Sequence, residues 1–387
     1  MRKSHASIVL ALTTAATIVL SACAVPQGVA PTVQAAATQV AEAAPTVEAA
    51  AKEVATKVEE AKAAMEVPAD WKAGIPKNAP DRAGKNLVIR DVPKLIGIGY
   101  FAATTKGMEE AAKELGNIDF KTDAPTEAKI EKQIEFLDNF ITQGVDVLLY
   151  ASNDPVAIAP VLKKALDQGI LVIGYDADAE EDARQFFVNQ ATFEAFAQAL
   201  IEDMVAQVGP EADIAIVTSS LTAPNQNRWI EEMKKYIAEK YPKLNIVTIL
   251  PSEEDQQLAF KAAQDIMKTY PNVKGIIGLS SVAFPGVTDA IKQAGNCGKI
   301  ASVGASTPNQ MRPFVEEGCA KDVVLWNPVD LGYAALYAAR ALADGKLKPG
   351  DTEFEAGRLG KLKVRGSEIL LGDPFVFTKD NIGNFDF

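Results

Sequence analysis

From about residue 94 onward, short apolar runs alternate with amphipathic stretches. Leu95–Phe101 reads as an apolar strand. Over Lys106–Leu115, residues Met108, Ala111, Ala112 and Leu115 fall on one helical face. Lys129–Gln143 carries Ile130, Ile134, Leu137 and Ile141 at helical spacing and stops at Gly144. Val145–Tyr150 then reads as a buried strand, Val156–Gln168 as a helix stopped by Gly169, and Ile170–Tyr175 as the next strand. Further strands are expected at 186–188, 214–218, 246–250, 273–279, 300–304 and 323–326. Helices are expected at 193–207, 228–240, 257–269, 282–293, 309–317 and 331–343. Such alternation makes βαβ units and parallel sheets, and there are too many strands for one ordinary sheet. The expectation is an α/β fold with two doubly wound parallel-sheet lobes.

The first 88 residues break this pattern. Arg2 and Lys3 precede a short apolar run, Ile8–Leu20, and Leu20-Ser21-Ala22-Cys23 puts small residues before a cysteine. This is the pattern of a secretory signal ending in a lipobox, and the run is too short for a good membrane span. Residues 1–22 are expected to be removed and Cys23 to be acylated. An ordinary signal with an incidental cysteine is the alternative. Residues 23–88, rich in Ala, Val, Pro, Thr and Glu, read as a tether, part helical over Ala49–Met65 and part disordered. A partner-binding helix is the other reading of 49–65. The working part is thus expected outside the cytoplasmic membrane and anchored to it, away from ATP and nicotinamide pools.

Composition narrows the chemistry. The one histidine, His5, lies in the signal, which removes Ser-His-Asp and Cys-His catalysis and the commonest metal ligand from the mature chain. Of the 39 basic residues, Arg2 and Lys3 leave with the signal, so 37 face 51 acidic ones, a formal charge of −14. That balance disfavours nucleic acid. Cys297 and Cys319 each sit just before a strand-like run, with one helix between, so their positions fall on the same sheet edge; a disulfide and two free thiols are both open.

In open parallel sheets, ligands bind beyond the carboxyl ends of the strands. The residues there are Tyr100 and Phe101; Asp176 and Asp178; Ser219, Ser220 and Thr222–Gln226; Ser280 and Ser281; Ser306 and Thr307; and Trp326, Asn327 and Asp330. Neutral hydrogen-bonding groups with a few aromatics and carboxylates suit a small polyol. Each has a plainer reading as core aromatic, helix cap or turn. It is their recurrence at six strand ends that points to a site. Gly97-Ile-Gly99-Tyr-Phe-Ala102, with Asp119 and Asp123 downstream, matches the dinucleotide fingerprint by letter. Against it, Gly97 lies within the apolar run, and bulky Tyr100 and Phe101 fill the span where backbone must approach a pyrophosphate. Asp176 and Asp178 in one loop are the nearest thing to a glycosidase carboxylate pair, and are more simply ligand or capping groups.

Several stretches together resemble a known family: Pro93–Phe101, Gly174-Tyr-Asp176, Asn225-Gln-Asn-Arg-Trp229, Ser306–Pro313, Leu325-Trp-Asn327 and the ending Phe377–Phe387. From about residue 90 the chain is similar to the type I periplasmic sugar-binding proteins of ABC importers, in the branch of the rhamnose-binding proteins and the autoinducer-2 receptors of the Lsr importer. The resemblance implies two lobes joined by three crossovers with the sugar between them. It implies a first lobe of 89–192 plus 328–360 and a second of 193–327 plus 361–387. Lys94 matches the ligand-binding lysine of the autoinducer-2 receptors, Asp176 an acid after the third strand, and Asn225 and Gln226 an Asp-Gln pair whose acid is here an amide. Leu279-Ser280-Ser281 stands where that branch has Pro-x-Ala. Tyr100, Phe101, Trp326 and Asn327 match pocket positions of the wider family, and Ser280, Ser281 and Ser306 complete the expected set. The family implies no cofactor and no metal. Its partners are a small neutral sugar and a membrane permease, and the chain is expected to act as a monomer. Uptake and sensing use the same closed form. A receptor for autoinducer-2 and an exported carbohydrate-acting enzyme remain as alternatives; a repressor with this core would carry a helix-turn-helix where this chain has a signal and an acidic tether.

Overall fold

β1 (Leu87–Val92) begins a parallel sheet that continues through β2 (Ile118–Thr122), β3 (Val147–Tyr150), β4 (Leu171–Tyr175) and β5 (Phe186–Asn189), in the order 2-1-3-4-5. The computed structural model describes residues 67–387. The signal segment, Cys23 and the helix expected over 49–65 lie outside these residues. β3, β4 and β5 are buried along their whole length because helices cover both faces. On one face pack α2 (Ile130–Gln143) and α3 (Pro155–Asp167), through Leu137, Ile141, Ile158 and Leu162. On the other pack α1 (Gly99–Leu115) and α9 (Pro328–Ala343).

The second sheet repeats the topology. β6 (Asp213–Thr218), β7 (Asn245–Pro251), β8 (Gly275–Gly278) and β9 (Ala301–Gly304) run parallel in the order 7-6-8-9. α4 (Phe193–Val208) and α5 (Pro224–Lys240) contribute Phe196, Leu200, Trp229 and Met233 to its core. α6 (Gln256–Thr269) and α7 (Ala283–Gln293) contribute Ala263, Ile266, Val287 and Ile291 on the other side. α8 (Pro308–Glu317) leads to β10 (Asp322–Leu325), which pairs antiparallel with β14 (Phe375–Thr378). The chain passes between the lobes three times: after β5, after β10, and between β13 (Glu368–Leu370) and β14. This is the doubly wound, two-lobed architecture expected from the alternation.

Four expectations need correction. Leu95–Phe101 is no strand: Gly97 turns the chain at φ +93 and α1 starts at Gly99. The run is apolar because Leu95, Tyr100 and Phe101 are buried around a loop and a first helical turn. Gly97 is therefore in a turn after all, although Tyr100 and Phe101 still occupy the span a pyrophosphate needs. The tether was expected to reach residue 88, but residues 68–86 pack on the first lobe: Trp71 sets its ring edge-on to Phe186 at 5.4 Å, and buried Arg82 donates to Asp146 Oδ1 at 2.9 Å. Residues 361–370, assigned to the second lobe, belong to the first sheet. There β11 (Glu353–Glu355), β12 (Lys361–Arg365) and β13 form an antiparallel ribbon laid along the open edge of β5. β12, between β11 and β13, alternates exposed Lys361, Lys363 and Arg365 with buried Leu362 and Val364, a period of two that suits a strand with one face on the core.

Cys297 and Cys319 are joined in a disulfide, closing a 22-residue span behind β9. A loop of that size contributes about 3 kcal/mol through the unfolded state.

Helices α1 and α9 cross at glycines. A Cβ on Gly332 would stand 1.9 Å from the carbonyl oxygen of Thr104, and one on Gly107 1.8 Å from that of Val329. Neither contact can be relieved by a rotamer change, so Gly332→Ala is expected to cost about 2 kcal/mol or more in urea unfolding. A second expectation concerns Asp91, wholly buried on β1. Burial pushes its carboxyl up to about 7, opposed by a hydrogen bond from Thr122 Oγ1 at 3.0 Å. A raised folded-state value means the folded chain keeps a proton the unfolded chain gives up. The group's stabilising contribution is full below about pH 4 and is lost as pH rises through 7. Asp91→Asn should remove this loss: the variant gains on the wild type between pH 4.5 and 8 when unfolding free energies are compared.

Candidate functional site

Each sheet has one switch point, between β1 and β3 in the first lobe and between β6 and β8 in the second. The two face each other, and the helices that start there, α1, α5 and α7, turn their N-terminal ends inward. Between them lies a space of about 390 Å³, part of it open to solvent.

The first lobe supplies Lys94, Ile98, Tyr100, Phe101 and Asp176; the second supplies Asn225, Gln226, Trp229, Glu254, Leu279, Ser280, Ser281 and Ala305; Leu325 and Trp326 come from the crossover after β10. Asp176 follows β4 in the left-handed region at φ +60, a conformation that costs a non-glycine residue about 1–3 kcal/mol and is typically retained at binding sites. Its Oδ1 accepts a hydrogen bond from Tyr100 OH at 2.8 Å, and Trp326 Nε1 donates to that same phenol oxygen at 3.0 Å. Lys94 Nζ stands 3.9 Å from Asp176 Oδ2 and donates to Asn225 Oδ1 at 3.2 Å. The bond to Asn225 joins the lobes, as does a second from Thr222 Oγ1 to Asn153 O at 3.1 Å. Gln226 is held by its carbonyl oxygen, which accepts from Thr218 Oγ1 at 2.6 Å and Ser219 N at 2.7 Å. Its amide nitrogen is left for something else. Ser280 Oγ caps α7 by accepting from Ala283 N.

Burial raises the carboxyl of Asp176 above its usual range; Lys94 and the Tyr100 hydroxyl pull it back, and the charge of Glu254 adds to the rise. Tyr100 is pushed well up by burial and by the neighbouring Asp176 charge, so its phenol stays protonated and donates. The site therefore presents acceptors, donors and aromatic faces together. It lacks any cluster of acids, cysteines or histidines arranged to hold a metal ion, among the described residues.

Of the residues singled out in the sequence, Lys94, Tyr100, Phe101, Asp176, Asn225, Gln226, Ser280, Ser281 and Trp326 meet in this space. Ser306 and Asn327 do not line it. Ser306 lies one layer behind, its Oγ donating to Ser281 O at 2.7 Å. Asn327 caps α9 and faces a separate hollow beside the crossovers. Asp178 turns away to pair with Arg184. Sequence reading missed Trp229 and Glu254. Trp229 is one turn beyond Asn225 on α5. Glu254 follows β7, where the strand-end rule applies equally, but β7 is an edge strand whose end was not searched.

Residues 92–347 match the family described as the periplasmic binding protein domain. The chain belongs to that family. It is 24% identical over 272 residues to the D-allose-binding periplasmic protein of Escherichia coli, covering 67% of this chain and 86% of that one. An ABC transporter solute binding protein from Clostridium phytofermentas, solved with bound L-rhamnose, is 30% identical with a TM-score of 0.74, over 78% of this chain and 98% of that one. LsrB from Clostridium saccharobutylicum, solved with AI-2, is 26% identical with a TM-score of 0.74, over 78% and 100%. The cavity described above lies between this chain's two lobes.

Replacing Lys94 by Met removes the strongest attraction that holds Asp176 ionised. The carboxyl should then titrate still higher, so the variant's stability should fall with rising pH more steeply than that of the wild type. Melting temperatures at about pH 5 and pH 8 check this: the deficit of Lys94→Met should be larger at the higher value.

Proposed function

We propose that this chain is a non-catalytic, extracytoplasmic receptor that encloses one neutral monosaccharide and presents it to an ABC-type sugar importer. The observation that carries this reading is a cavity at the junction of the lobes whose polar groups come from both of them. Lys94 and Asp176 take ligand hydroxyls from the first lobe, and Asn225, Gln226 and Ser281 take them from the second. Tyr100, Phe101 and Trp326 cover the apolar faces of the ring. Because a ligand touching both lobes binds the shut form better than the open one, it shifts the balance toward closure, and the permease responds to that closure. Cleavage before Cys23 and acylation of its thiol would keep the receptor at the membrane as a monomer, with residues 24–66 as the leash. The deoxyhexoses, pentoses and hexoses are the ligand class, supported by relatives named for allose and rhamnose.

The likeness to LsrB favours a second reading, autoinducer-2 as the ligand, through Lys94, Asp176 and Gln226. Asn225 in place of an acid, and Leu279-Ser280-Ser281 in place of Pro-x-Ala, weigh toward an ordinary sugar.

A thermal-shift panel of monosaccharides with autoinducer-2 included decides between them, since a ligand that binds only the folded chain raises its melting temperature. One neutral sugar should raise it by several degrees without turnover to product. Asp176→Ala should abolish that rise and weaken binding at least 100-fold while the unliganded protein stays folded. Unchanged affinity in Asp176→Ala, or product released from a glycoside, would reject the receptor reading.

A further inference from the structure

Two polar atoms at the cavity wall have no partner. Trp229 Nε1 and Glu254 Oε2 are both shut off from solvent, and neither makes a hydrogen bond. Trp229 is 2% exposed, its ring packed between Phe196 at 4.5 Å and Trp326 at 5.8 Å. An indole N–H buried this far normally finds an acceptor. An unpaired carboxylate oxygen is more costly still.

Glu254 reaches the cavity from the loop between β7 and α6, and that loop is strained. Glu253 and Glu254 stand in the left-handed region at φ +52 and +53. The loop is pinned there: Ser252 N and Oγ both donate to Thr218 O, at 2.8 and 3.0 Å, and Glu253 N donates to Ser219 O at 2.5 Å. Both cavity carboxylates, Asp176 of the first lobe and Glu254 of the second, are thus presented by left-handed residues that are not glycine. Strain of this kind persists where the surrounding structure has a use for it. Of the described residues lining the cavity only Lys94 is a cation, so the site sets two carboxylates against one ammonium.

Building on the sugar-binding reading above, we infer that Glu254 is a specificity-determining ligand contact whose free oxygen accepts from a ligand hydroxyl, and that closure of the lobes is favoured only when such a donor stands between Glu254 and Asp176. Trp229 Nε1 donates to an oxygen of the same ligand. The ligand class narrows accordingly. A neutral sugar with a hydroxyl at that edge fits. Sugar acids and sugar phosphates would bring a third negative charge into the site and are rejected. An analogue that lacks that one hydroxyl leaves Oε2 of the half-buried Glu254 shut off and unpaired, a penalty that purely apolar pockets cannot impose.

Glu254→Gly and Glu254→Gln test this by calorimetry with the sugar from the panel and its series of single-deoxy analogues, and by small-angle scattering of the unliganded proteins. Glycine suits the backbone at φ +53, so Glu254→Gly should melt at the same or a higher temperature than the wild type while binding the sugar at least 10-fold more weakly. That loss should vanish for one deoxy analogue and persist for the others. Unliganded Glu254→Gln, relieved of the repulsion, should be more compact than the wild type. Unchanged affinity in Glu254→Gly, or a loss shared equally by every deoxy analogue, overturns the contact. If the wild type binds no sugar at all, the receptor reading falls by itself. The scattering then still decides closure: compaction in Glu254→Gln upholds the role of the two carboxylates, and no compaction removes it.

Discussion

A lysine and an aspartate removed from water in one small space are the constraint around which this molecule is arranged. Lys94 and Asp176 are both nearly inaccessible, and charges in that position must be paired and hydrogen-bonded or the fold pays several kcal/mol for each. Lys94 finds its hydrogen-bond acceptor, Asn225 Oδ1, on the other lobe. Asp176 is held by Tyr100, and Tyr100 by Trp326 at a crossover. The polar line from Trp326 through Tyr100, Asp176 and Lys94 to Asn225 therefore passes from hinge to first lobe to second lobe. It is complete only when the lobes are together.

The topology makes that meeting possible. Both sheets carry the same order, with one strand placed outside the first, so each opens a crevice at its switch point and each points helix N-termini into it. Had the polar groups all come from one lobe, ligand binding would have been equally good in open and closed forms and would shift nothing between them. Under the proposed function, splitting them, Lys94 and Asp176 on one side and Asn225, Gln226 and Ser281 on the other, would turn binding energy into movement. The glycine crossing of α1 and α9 keeps the first lobe stiff while this happens, because the two backbones touch at Gly107 and Gly332.

Much of this was legible from the spacing of apolar residues. Helices α2 and α3, each ending before a Gln-Gly or Gly stop, and the buried strands β3, β4, β6, β8 and β9 announce themselves by period and by length. The misreadings share a cause: local pattern records burial, not the reason for it. Leu95–Phe101 is apolar because it lines a core and a cavity, and only the positive φ of Gly97 distinguishes that from a strand. The β11–β13 ribbon has strand periodicity, but its attachment to β5 is a long-range pairing that no nearby residue encodes. At the site, strand-end position found Asp176 and Ser281 and would have found Glu254 had the edge strand been treated like the rest. Asn327 and Ser306 show the limit of that rule. Their neighbours Trp326 and Ser281 face the cavity, and the two themselves face the hinge and the layer behind.

The three cysteines tie the two ends of this account together. Cys297 and Cys319 bond to each other, at Cα positions 4.7 Å apart, and a stable disulfide belongs to an oxidising compartment. That is the compartment to which the proposed signal, with its charged start, apolar run and small residues before Cys23, would address the chain. An odd cysteine on an exported protein otherwise invites pairing between molecules. Acylation of Cys23 would consume the third thiol, so the lipid anchor and the internal disulfide together leave the exported chain with no free sulfhydryl.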